Sequence, residues 1–194
     1  MFGPIAIIQA LLPSFRTQGS GHILNISSIN GFASRRSVGA YSSSKAALDA
    51  FSESLAQEVE PFGVRVHVIA PGFFSTNFLV AAKANHDPQD TTKAYTTPKQ
   101  GLSLWENMLS SRIASRQVGD PKKFAERLYE IVSGTGLAQG LMDNKDWVRV
   151  PLGPDSGARM REKVAAISAS VEAYEPIWKS TNMDDARLKE QFGI

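Results

Sequence analysis

The chain has no cysteine among its 194 residues, so it holds neither a disulfide framework nor a thiolate metal site. That absence fits a reducing, cytoplasmic compartment. Histidine is nearly as scarce. His22, His67 and His86 stand in unrelated contexts without metal-ligand spacing and read as structural or solvent-exposed side chains. The 21 basic and 19 acidic residues are interspersed, for a net charge of +2, and no Lys/Arg block marks a nucleic-acid surface. No apolar run is long enough to span a bilayer. Residues 1–12 are apolar but short, with neither a basic leader nor a small-residue cleavage site, and read as a buried helix. No internal repeat or low-complexity segment stands out.

What is present is ordinary globular material. Apolar residues make up 42% of the chain, enough at this length for one domain with a sizeable core. Ile5, Ile8, Leu11 and Leu12 recur at helical spacing, with Pro13 near the end of that segment. A polar turn at 17–21 leads into a short buried strand at 22–27. Residues 31–39, rich in Gly and Ser, read as a loop that includes the solvated pair Arg35-Arg36. A helix from Tyr41 to about Glu60 buries Leu48, Phe51, Leu55 and Val59, while Asp49, Glu53, Glu58 and Glu60 face elsewhere. Pro61 and Gly63 end it, and the β-branched run 64–70 is a second strand. Strand, helix, strand at this spacing is a βαβ unit, hence a parallel sheet.

Further on, 83–100 is polar and weakly periodic, a lid or a plain surface loop. Asp120-Pro121 supplies an N-cap and an N1 proline for a helix through Phe124, Leu128 and Ile131. A third strand falls at 147–152. Met160, Val164, Ile167, Val171 and Tyr174 then form a helical stripe suited to packing on the body or on a sister subunit. The segment 176–194 is a polar, loose tail, leaving 1–175 as the domain.

The chemistry concentrates at Tyr41-Ser42-Ser43-Ser44-Lys45, with Ser28 thirteen residues ahead of Tyr41. Tyrosine and lysine at i and i+4 share a helix face, about 5–6 Å apart at Cβ. A free phenol titrates near 10, and an adjacent ammonium stabilises its anion, so such a pair can transfer protons near neutral pH. Ser28 ends the first apolar strand, where a hydroxyl could hold a substrate oxygen. Each feature also has a plain structural explanation: a solvated helix pair and a strand-ending serine.

The ordered set His22-Ile23-Leu24-Asn25-Ile26-Ser27-Ser28, Gly31, Gly39-Ala40-Tyr41-Ser42-Ser43-Ser44-Lys45-Ala46-Ala47-Leu48 and the run from Val64 through Pro71-Gly72 resembles the classical short-chain dehydrogenase/reductase family. Thr76 lies four residues beyond Gly72. Arg149-Val150-Pro151-Leu152-Gly153-Pro154-Asp155 resembles a hydroxysteroid- or retinol-dehydrogenase-like branch. The resemblance implies a Rossmann-like α/β fold with a doubly wound parallel sheet. It also implies an NAD- or NADP-dependent oxidoreductase of an alcohol/carbonyl pair. Tyr41 would be the general acid/base, and Lys45 would lower its pKa and bind the nicotinamide ribose. Ser28 would orient the substrate oxygen. Pro71 and Gly72 would let backbone approach the nicotinamide, Thr76 would bind its carboxamide or phosphate side, and residues 73–115 would cover the substrate. Two copies could pair through helices 2–14 and 40–60.

The glycine-rich pyrophosphate turn that the family carries ahead of these motifs has no counterpart here; Gly19-Ser20-Gly21 and Gly134-Thr135-Gly136 lack the strand–turn–helix setting. The expectation is therefore an N-terminally truncated domain. Its first strand would be an exposed apolar edge, and its stability low without a second polypeptide. Two functional readings stand: the catalytic half of an oxidoreductase, or a non-enzymatic truncated paralogue with a dimerisation or binding role. A serine hydrolase is poorly supported, because Ser28 lacks a Gly-x-Ser-x-Gly elbow.

Overall fold

The computed structural model describes residues 1–36, 38–78, 81 and 119–193. Two compact units result, Met1–Met160 and Arg161–Ile194. In the first, helix α1 (Phe2–Gln18) precedes strand β1 (Gly21–Ile26). A single-turn helix α2 (Ile29–Phe32), helix α3 (Gly39–Val59) and strand β2 (Val64–Pro71) follow. Helix α4 (Pro121–Ser133), two short 3-10 turns, strand β3 (Arg149–Leu152) and helix α5 (Pro154–Ala173) complete the order up to the second unit.

The sheet is parallel throughout, ordered β1-β2-β3. Gly21 pairs with Val64 and Ile26 with Ile69 on one side of β2; Val68 pairs with Arg149 and Pro71 with Leu152 on the other. This is the parallel βαβ arrangement that the spacing predicts and the Rossmann-like α/β fold that the resemblance implies. Alternation along the strands divides the core into two faces. Ile23, Val64 and Val66 pack with Ile8 of α1 and Leu55 and Val59 of α3. On the opposite face, Leu24, Ile69, Val150 and Leu152 meet Phe124, Leu128 and Ile131 of α4. Central β2 is the most buried strand, with Val68, Ile69 and Ala70 at 0% exposure.

Several local expectations change. Pro13 does not end the first helix, which runs on to Gln18 and is capped by left-handed Gly19, whose N–H donates to Phe15 O at 3.0 Å. Pro13 is on the exposed side, where water can satisfy the carbonyl that its missing N–H leaves unpaired. Gly63 is also left-handed (φ 69°), and a Cβ there would overlap the Gly19 carbonyl oxygen, so the turns flanking β1 and β2 pack by backbone alone. Asp49 does not face solvent. It is buried against Arg149 of β3, whose guanidinium also reaches Glu53 at 2.5 Å and covers the Phe32 ring at 5.0 Å. The expected loop at 31–39 begins inside α2.

On the outer side of β1, Phe2, Ile7, Leu11 and Ile26 are exposed. The groove of about 500 Å³ beside this strand is walled largely by apolar side chains of α1, β1 and α3. In the second unit, Val164, Ile167, Val171 and Tyr174 of α5 are exposed. Residues 175–179 and 185–192 form helices α6 and α7 where sequence alone suggested loose chain. Trp178 Nε1 donates to Val171 O at 3.1 Å. Among the described residues, no helix is long and apolar enough to cross a membrane. The expected substrate-covering segment lies outside the described residues beyond Phe78, apart from Ala81.

Candidate functional site

The C-terminal ends of β1 and β2 open onto one cavity of about 630 Å³. In open parallel α/β sheets, ligands bind outside the carboxyl ends of the strands. Ser28, Tyr41, Lys45, Pro71, Gly72 and Thr76 all line it, so the fold gathers every residue singled out from the sequence. Among the described residues, no hydrogen bond links Ser28, Tyr41 and Lys45 directly; they share a wall rather than a network.

Each position has a local cause. Ser28 is the N-cap of α2; its backbone is extended, and its Oγ accepts from Asn30 N at 3.1 Å. Tyr41 and Lys45 lie in the first two turns of α3, which starts at Gly39 without a side-chain cap; Ser42 N donates to Val38 O at 2.8 Å. Lys45 Nζ sits 5.9 Å from the Tyr41 ring centroid and donates to Ile26 O, the last carbonyl of β1, at 2.9 Å. Burial pushes the Lys45 ammonium below its ordinary value, and the Asp49 carboxylate one turn along opposes that shift. Lys45 also lines the groove beside β1, so it stands where the two openings meet.

The facing wall depends on α5. Gly72 N donates to Leu152 O at 2.9 Å, Phe73 N to Asp155 Oδ2 at 3.1 Å, and Ser156 Oγ to Ala70 O at 2.6 Å. A Cβ at Gly72 would overlap the Asp155 carboxylate, so glycine is what lets the chain pass this close to α5. Thr76 Oγ1 accepts from Phe78 N at 3.3 Å, and the Phe78 ring lies 6.2 Å from that of Tyr41. Phe73, Phe74, Phe78, Phe124 and Val38 make the rest of the lining strongly apolar.

Sequence reasoning missed Asn30, Ser156 and Arg159, and named Asp155 only within a motif, without a role. Each acts through a partner far along the chain, and only the acidic residue at the start of α5 carried a local signal. It also treated His22 and His67 as unrelated. Parallel pairing of β1 and β2 stacks their rings at 5.9 Å with a 17° tilt. Among the described residues, no group of three or more His, Cys, Asp or Glu is placed to hold a metal.

Comparison with known proteins agrees with this fold. Residues 1–87 match the family model described as short chain dehydrogenase. A solved short-chain dehydrogenase from Streptomyces avermitilis superposes with a TM-score of 0.72 at 27% identity, covering 94% of this chain and 60% of that one. By the match to the family model, residues 1–87 belong to the short-chain dehydrogenase/reductase family. Among curated relatives, the uncharacterized oxidoreductase YusZ of Bacillus subtilis is 32% identical over 135 residues, covering 69% of this chain and 46% of the relative. Dehydrogenase/reductase SDR family member 7B of Danio rerio is 44% identical over 81 residues, covering 42% of this chain and 26% of the relative. The chain thus spans about half or less of the length of these two curated relatives.

Proposed function

We propose that this chain supplies the substrate and proton-transfer part of an NAD(P)-dependent oxidoreductase site acting on an apolar alcohol/carbonyl pair. The observation that carries the reading is the convergence of Ser28, Tyr41, Lys45, Pro71, Gly72 and Thr76 on one cavity. In this reading Tyr41 gives its phenolic proton to a carbonyl oxygen, or takes one from a hydroxyl in the reverse direction. Lys45 holds positive charge beside the phenol. Ser28 donates its hydroxyl hydrogen to the substrate oxygen. The phenylalanine-rich wall excludes water and favours a bulky apolar substrate over a small polar one. The likeness to the 7B relative supports placing the chain in a hydroxysteroid/retinol-dehydrogenase-like branch.

The residues present fit the nicotinamide-riboside end of the cofactor. The ammonium of Lys45 and the hydroxyls of Tyr41 and Thr76 offer polar partners around the glycine at 72. When bound, that group carries the hydride. The groove beyond Lys45 is mostly apolar and does not fit a pyrophosphate. The same proposal takes 1–175 as the partial domain, 73–115 as the substrate cover and 176–194 as a tail. It also includes pairing of copies through α1 and α3, supported by exposed Phe2, Ile7 and Leu11.

The test is turnover of a panel of apolar ketones with NADH or NADPH, followed by loss of nicotinamide absorbance. Tyr41→Phe should lower kcat by about 10²–10⁴, the scale of a lost general acid, with KM little changed. Turnover that survives Tyr41→Phe would remove Tyr41 from the chemistry. No turnover by the parent chain would favour the non-enzymatic role.

A further inference from the structure

We propose that Arg159 is a positioning residue for Ser28, acting through Asn30 to aim the Ser28 hydroxyl into the cavity. Arg159 is on α5, only 8% exposed, and lines the same cavity as Ser28 and Asn30. Its Nη2 donates to Asn30 Oδ1 at 2.7 Å and also to the carbonyl oxygen of Ala33, the residue that ends α2. The backbone N–H of the same Asn30 donates to Ser28 Oγ at 3.1 Å. Arg159 therefore grips both ends of the turn that Ser28 caps.

The physical need for such a grip follows from the size of α2. It has four residues, and one helical turn fixes several dihedrals for very few hydrogen bonds, so it does not persist on its own. Gly31 lets the turn press onto α3, since a Cβ there would lie 2.8 Å from Asp49 Oδ2 and 3.1 Å from the Lys45 backbone carbon. Packing thus sets the distance between α2 and α3, while the guanidinium sets the ends of the turn. A planar fork with several donors can serve two acceptors at once; an ammonium on a flexible stem does so poorly.

The chemical consequence lies at the hydroxyl. With Asn30 N–H occupying one acceptor site of Ser28 Oγ, the serine donates to no described residue, which leaves its hydrogen for a substrate oxygen. A slack turn would let Asn30 release Ser28, and the hydroxyl would sample rotamers that point elsewhere.

This inference rests on the oxidoreductase reading for the role of Ser28, and the experiment separates the two. Amide hydrogen exchange of Asn30 and Ala33 would be measured by NMR on the full chain, for the parent, Arg159→Gln and Asn30→Ala. The second variant removes the acceptor and leaves the arginine in place. Exchange at the remaining α2 amides should quicken about tenfold, the scale of one side-chain hydrogen bond, with Val68 of β2 unchanged. In kinetics, Arg159→Gln should lower kcat about as much as Ser28→Ala at nearly constant KM. The Ser28→Ala/Arg159→Gln double variant should lose little more. Unchanged α2 exchange in both variants, fully additive losses in kcat, or an effect on KM alone would each overturn the proposal. A parent chain without turnover would refute the oxidoreductase reading, and the exchange data would still decide whether Arg159 latches the turn.

Discussion

The two faces of the sheet treat buried polar groups in opposite ways. On the α1/α3 face, which carries Tyr41 and Lys45, buried Asn25, Ser52 and Asp49 each make at least one side-chain hydrogen bond, although Asp49 Oδ1 itself has no partner among the described residues. Asn25 Nδ2 donates to Ser52 Oγ at 2.8 Å, Ser52 Oγ donates to Leu48 O at 2.7 Å, and Arg149 bridges Asp49 and Glu53. On the α4 face, His67 is 1% exposed and neither of its ring nitrogens has a hydrogen-bond partner, although His22 stacks on it. A satisfied network fixes geometry, whereas an unsatisfied ring tolerates burial only while neutral. The face that carries the proposed reacting groups is the one built from directed bonds. The other face is held mainly by apolar contact.

Substitutions can break this contrast, and the largest effect is expected at Arg149. Arg149→Met leaves the Asp49 carboxylate buried without its partner and should cost about 3 kcal/mol in chemical denaturation, the range for breaking a buried pair. Adding Asp49→Asn should recover a large part of that loss. If the single variant proved neutral, the α3 face would not depend on its ion pair. A smaller effect belongs to Ser52→Ala, which removes the partner of buried Asn25 and should cost about 1–3 kcal/mol. A cost below the error of the fit would mean that Asn25 finds another acceptor.

His67 should give the smallest effect at neutral pH. His67→Leu removes an unpaired polar ring and should leave stability at pH 7 nearly unchanged or slightly raised. Its signature is the pH profile. Burial, together with the nearby charges of His22 and Arg65, pushes His67 down to about 4 from its ordinary 6.5. The unfolded chain takes up a proton there below pH 6.5 while the folded chain resists. Stability is therefore full above 6.5 and falls as the pH drops towards 4. Thermal melts between pH 7 and 4 should show this decline flattened in His67→Leu. A variant that kept the full parental slope would assign the acid sensitivity to other groups.

How legible each feature was follows from how local its cause is. The Tyr41/Lys45 pair depends only on helical spacing within α3, and the β1–α3–β2 unit only on periodicity and the breakers at Pro61 and Gly63. Asp120 and Pro121 start α4 as their residue types predict, with Asp120 Oδ1 accepting from Lys122 N at 2.8 Å. Asp49 was misread because nothing near it in sequence reveals Arg149, a hundred residues away. The bonds of α5 to Phe73, Ala70 and Asn30 were hidden for the same reason. Pro13 misled in the other direction, since an exposed helix face absorbs a proline that a buried one would not. The placement of Tyr41 and Lys45 on one helix was readable along the chain, while the long-range bonds around the cavity were not.

The central claim is that the cavity beside Lys45 receives a nicotinamide group, and its most direct test is a fluorescence titration of the chain with NADH and NADPH. The account predicts saturable enhancement with at least one of them. Because the Lys45 ammonium is the charged partner that the cavity offers the nicotinamide riboside, binding should weaken by at least tenfold in Lys45→Met, about 1.4 kcal/mol. The absence of saturable binding to the folded parent chain, or equal binding by Lys45→Met, would contradict it.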